Sequence, residues 1–132
     1  MQDQTLLHRQ VNPSFLDKEG RPSRQAFLLF PKDKGQLSLY NGDKWLAEEA
    51  FVHYTESLRF ASLGCLSITP EEIATTKAEL GLCKLEPFED NGPFDGHVSV
   101  DQSHLTDKEQ KAIRALLLKH ALVRDWTFRK AD

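Results

Sequence analysis

The chain has 132 residues, 39% of them hydrophobic and 28% charged. That is enough for one domain with its own core, and too apolar for a disordered chain. A formal net charge of −3 excludes a generic nucleic-acid coat, which needs an excess of clustered Lys and Arg. No apolar run approaches the roughly 18 residues of a membrane span, and the start "MQDQTLLHRQ" lacks a signal-peptide pattern, so a soluble cytoplasmic protein is expected.

The stretch "LLHRQVNPSF" places His8 and Arg9 where a first strand is expected to begin, ahead of a Pro-Ser turn at Pro13. "QAFLLF" and "QLSLY" are rich in aromatic and aliphatic residues and read as two strands. The loop between them would carry Lys32, Asp33 and Lys34 at a hairpin-like tip. Ala47, Ala50, Phe51, Tyr54 and Leu58 fall on one face of an amphipathic helix, with His53 beside that stripe.

"FASLGCLSI" is nearly continuous in apolar residues and is the best candidate for a central strand buried on both faces. Thr69, Pro70 and Glu72 form a capping box with proline at the first helical position, which predicts a helix to Leu80 stopped by Gly81. "CKLEPFEDNGPFDG" reads as a turn-rich connection, and "HVSVD" as a strand. Thr106 and Glu109 repeat the capping box. Ile113, Leu116, Leu117, His120 and Ala121 trace the inner face of the helix that follows, and "WTFR" closes the sheet.

These elements predict an α+β, or mixed α/β, domain spanning 1–132, with four or five strands and three packed helices. Cys65 and Cys83 lie too far apart for a C-x-x-C motif and read as small apolar side chains. No phosphate-loop, zincin or nucleophile-elbow pattern is present, nor any clustered Cys/His set; no metal and no cofactor is expected.

Weaker constellations remain. Arg9 and Arg21 offer bidentate forks for a carboxylate or phosphate, with Lys32 as a further phosphate holder and Ser23 as a hydroxyl in "GRPSRQAF". His97 follows Gly96, which lets another group approach closely, and would face His8 across the sheet in an acid–base pair. Glu86, Glu89, Asp90, Asp95 and Asp101 form an acidic stretch whose paired carboxylates would suit magnesium or a basic partner surface, though surface acids in a loop usually bind neither. Phe27, Phe30, Tyr40, Trp45 and Phe51 would stack a base or fill the core.

The succession "HRQVNPSF", "SRQAF", "KDKGQLSLY" and "GHVSVD" resembles a family of small bacterial proteins sharing these blocks, with Asn12 standing where the family pattern has histidine. The match covers most of the chain up to Asp101 and implies no activity. The early His-Arg strand with its Ser-x-x-Ala-Phe block also resembles, at fold level, compact ADP-ribosyltransferases that bind NAD in a split sheet.

Two functions follow as expectations. The first is an accessory module that docks another protein, through Glu86, Glu89, Asp90 and Asp95, in a bacterial stress or phage-defence setting. The second is a nucleotide- or nucleic-acid-end-binding enzyme or sensor, with Arg9, Arg21, Lys32 and Tyr40 holding the ligand and His8, His97 and Ser23 handling protons. The second requires His8, Arg9, Ser23 and His97 to converge.

Overall fold

The computed structural model describes residues 1–131. It shows an α+β architecture built on a six-stranded antiparallel sheet. The strands are β1 (Leu7–Gln10), β2 (Gln36–Asn41), β3 (Gly64–Ile68), β4 (Pro87–Glu89), β5 (His97–Asp101) and β6 (Phe128–Arg129), in the order β4-β5-β2-β1-β3-β6. Three α-helices accompany it: α1 (Ala47–Val52), α2 (Pro70–Leu80) and α3 (Asp107–Arg124).

Alternation along each strand gives the sheet two unlike faces. Leu7, Leu37, Leu39, Leu66, Ile68, Val98 and Val100 point one way and are buried with Ile73, Ile113, Leu117 and Ala121 of α2 and α3. The opposite face is polar. His97, Tyr40, His8 and Ser67 lie directly across from one another on β5, β2, β1 and β3, forming a single row. Ser99, Ser38, Gln10 and Cys65 lie two residues further along the same strands.

Six strands exceed the expected four or five, because one strand lies where only a turn-rich connection is expected. β4 is a three-residue strand inside the turn-rich connection, paired to β5 through Pro87, Phe88 and Glu89. Its composition hides it, since proline belongs to edge strands and β4 is an edge. "QAFLLF", by contrast, is no strand: Arg24–Phe27 is a 3₁₀ turn capped by Ser23, and its Ala26 and Phe27 are buried by packing under α3. The expected hairpin with a charged tip is therefore a 3₁₀ turn at Pro31–Asp33.

The helix count also rises, because α1 passes into a π-helical turn at His53–Ser57 that forms a fourth helical element. A single amphipathic helix was the expectation for this stretch. Phe60–Leu63 lie outside β3, which starts at Gly64, and β3 itself is buried throughout but lies second from the sheet edge, not at its centre. Both capping boxes form, with Thr69 and Glu72 on α2 and Thr106 and Glu109 on α3. Cys65 is buried as expected, whereas Cys83 is exposed. Among the described residues no helix is long and apolar enough to cross a membrane.

Candidate functional site

Strands β1 and β2 pair only at Leu7↔Asn41 and His8↔Tyr40, then separate. Arg9, next along β1, fills the gap: its Nε donates to the Ala26 carbonyl (2.9 Å), one terminal nitrogen to Ser38 (3.2 Å) and the other to Leu28 (3.3 Å). The Ser38 carbonyl is one that β2 leaves unpaired as it parts from β1, and the other two bonds tie β1 to the 3₁₀ segment that ends at Leu28. The remaining N–H groups of the guanidinium have no partner among the described residues, and no described carboxylate lies within 4.0 Å of it. Burial lowers the Arg9 pKa, opposed by the fields of Tyr54 and Asp33, yet arginine's range is high enough that it stays charged.

Above Arg9, on the polar face, opens a cleft of about 660 Å³. That lies within the roughly 300–1,000 Å³ of small-molecule sites. Ser38, Tyr40, His97 and Ser99 form its floor beside Arg9, and Tyr54, Phe30, Phe60 and Phe94 supply aromatic walls. Tyr54 is carried by the π-helical turn, a deviation frequent at functional sites. Lys32 reaches over the Phe60 ring, 5.8 Å from its centroid, joining two segments that line the opening. Asp33 and Asp90 line the cleft as well, so its charge is mixed. The Asp33 carboxylate is engaged in capping its own turn, accepting the Phe30 N–H at 2.7 Å.

His97 is nearly buried, at 7% exposure, and its Nδ1 lies 3.2 Å from the Asp90 carbonyl. A carbonyl can only accept, so Nδ1 carries the proton and the neutral ring keeps a lone pair on Nε2, which has no partner among the described residues. Burial lowers the His97 pKa, with Asp90 working the other way. The ring is therefore neutral at pH 7.

His8 shares the row with His97 but not the cleft. Tyr40 stands between them, and both His8 nitrogens are taken, by Ser67 Oγ (2.8 Å) and the Trp45 carbonyl (3.0 Å). Ser23 is distant from both: its hydroxyl donates to the Phe15 carbonyl (2.7 Å) and accepts the Gln25 N–H in a helix cap. Arg21 is exposed and pairs with Asp17 and Glu19. Of the acidic candidates, Glu86 is exposed, Glu89 and Asp95 both face Lys44, and Asp90 lines the cleft. The structure thus unites Arg9, Lys32, Tyr40, Asp90 and His97, and leaves His8, Arg21, Ser23, Glu86, Glu89 and Asp95 outside.

His53, expected beside the helix stripe, is central to an aromatic cluster. Its Nδ1 bonds the Tyr40 hydroxyl at 2.7 Å, and its ring packs on Trp45 (4.8 Å) and Phe94 (4.9 Å). Gly96 has φ +87°, and an added Cβ would lie 2.7 Å from Trp45 Nε1, so this glycine admits the indole beside the cleft. Gln10 presents a buried amide nitrogen with no partner. Its Oε1 accepts the Ser62 hydroxyl at 2.8 Å.

Among the described residues no three His, Cys, Asp or Glu side chains gather as metal ligands do. Searches of family models, curated proteins and solved structures find no match to this chain.

Proposed function

We propose that this protein binds a small anionic ligand bearing flat rings, of the nucleotide class, in the cleft over Arg9. The observation that carries this reading is the half-buried Arg9 guanidinium, which has spare donors and no described carboxylate within ion-pair distance, at the foot of an aromatic-walled opening. A fixed, partly desolvated fork favours a planar or tetrahedral oxyanion. The rings of Tyr54, Phe60 and Phe94 offer stacking surfaces that discriminate little between bases.

Lys32 lies on an exposed turn and is free to swing from Phe60 onto the anion. The cleft continues past the stacked Phe15 and Phe30 rings into a second depression lined by Asn12, Ser14 and Pro31. That length suits a dinucleotide or short single strand better than a mononucleotide. The His97 Nε2 lone pair is placed to accept a proton from a ligand hydroxyl or ring nitrogen.

Isothermal titration calorimetry against inorganic phosphate, nucleoside monophosphates, dinucleotides and short oligonucleotides tests this. Binding of a ring-bearing member, with Lys32→Ala and Phe60→Ala each weakening it by about tenfold, supports the reading. Both side chains are exposed, so the folds of these variants are not at issue. Absence of binding across the panel at millimolar ligand, or variants that bind as tightly as the parent, overturns it.

A further inference from the structure

His8 belongs to a run of contacts whose protons can be counted. Its Nε2 lies 3.0 Å from the Trp45 carbonyl and its Nδ1 2.8 Å from Ser67 Oγ. Ser67 Oγ lies 2.7 Å from Thr127 Oγ1, which lies 3.0 Å from the Cys65 carbonyl. Both ends of the run are carbonyls, which only accept, so every link must draw its proton from between them. A neutral imidazole brings one proton and each hydroxyl one, which is one fewer than the number of links. An imidazolium brings two and completes them all.

We propose that His8 takes up its second proton as the completing link of this chain, with Ser67 and Thr127 holding that proton against the pull of burial. In the complete chain Nε2–H donates to Trp45, Nδ1–H to Ser67, the Ser67 hydroxyl to Thr127 and the Thr127 hydroxyl to Cys65. Loss of the proton leaves one short contact with lone pairs facing each other, and that link opens. The chain ties β1, β3 and the segment before β6 to Trp45, whose ring packs on Tyr40, His53 and Phe94 beside the cleft. The inference stands on these contacts whether or not the cleft takes a ligand.

The groups facing His8 are few. Tyr40 faces it from β2, Ser67 from β3, Gly42 and Trp45 from the loop before α1, and Thr127 completes the chain from the segment before β6. The nearby Asp43 carboxylate is turned to the Thr5 hydroxyl and the N-terminal amine. No described carboxylate lies within ion-pair distance of His8; burial lowers its pKa with the Trp45 carbonyl working the other way, and the hydroxyl chain is the further partner proposed to hold the second proton.

An NMR titration of the His8 ring nitrogens in the full chain, comparing the parent with Thr127→Val and Thr127→Ser, tests the proposal. Thr127 does not touch His8, yet valine removes two links and one proton, leaving a chain that a neutral ring satisfies. The His8 midpoint should fall by about one pH unit in Thr127→Val and return toward the parent's in Thr127→Ser. A midpoint unchanged or raised in Thr127→Val overturns the proposal. Should that variant fail to fold, Ser67→Ala serves in its place: a lowered midpoint supports the chain, and an unchanged one overturns it.

Discussion

Arg9 joins structure to site, because the donors that close the gap between β1 and β2 belong to the same group that faces the cleft. Replacing it by leucine removes donors from three carbonyls and opens the gap. Arg9→Leu should therefore lower the free energy of unfolding by about 2–4 kcal/mol, read from urea denaturation. A loss under about 0.5 kcal/mol would show that water satisfies those carbonyls equally well. The residue type marked Arg9 as an anion fork, but its acceptors lie 17, 19 and 29 positions along the chain. Ser23 shows the converse: a hydroxyl read as a pocket group is held by its own turn, as short polar side chains near turns often are.

The helices α2 and α3 were legible because their signals are local. Thr69 with Glu72, and Thr106 with Glu109, close reciprocal bonds within one turn. The two boxes are not equivalent, since Glu72 also receives the Arg124 guanidinium while Glu109 has no ion-pair partner among the described residues. Thr106→Ala should cost about 1 kcal/mol, and Thr69→Ala more, by thermal or urea unfolding. Equal losses would mean that the Arg124 pair does not depend on the cap. Strands were harder to read: "QAFLLF" has strand-like composition but packs under α3 as a turn, while β4 has turn-like composition but pairs with β5. β3 meets β6 at Gly64, where an added Cβ would lie 2.2 Å from the Phe128 carbonyl at φ +149°. Gly64→Ala should accordingly lower stability by at least about 3 kcal/mol, and full stability in that variant would show the β3–β6 pairing to be dispensable.

Across the whole molecule the sheet separates its tasks by face, one carrying the core and the other the polar row and cleft. His97 makes that arrangement sensitive to acid. Its folded pKa lies below the free value of 6.5, so the unfolded chain takes up the proton first. His97's contribution to stability is full above about pH 6.5 and declines as the pH falls toward the folded pKa, below which it changes no further. Urea midpoints measured from pH 7.5 to 5 should fall, and His97→Gln should flatten part of that slope; a variant with the parent's slope would remove His97 from the account.

Short apolar runs, helix caps and glycine stops were enough to set the α+β class, the helices α2 and α3, and strands β2, β3 and β5, because each of these signals is exchanged among near neighbours. The cleft was not readable in that way. Arg9, Lys32, Asp90 and His97 meet only because β5 pairs with β2 and β2 parts from β1, a choice of strand order made by the burial of Leu37, Leu39, Val98 and Val100 under the helices. The same pairing sets Tyr40 between His8 and His97 and turns His8 toward Ser67 and Trp45, partners 59 and 37 residues away. Long-range register, set by packing of the apolar face, assigns the polar side chains their partners.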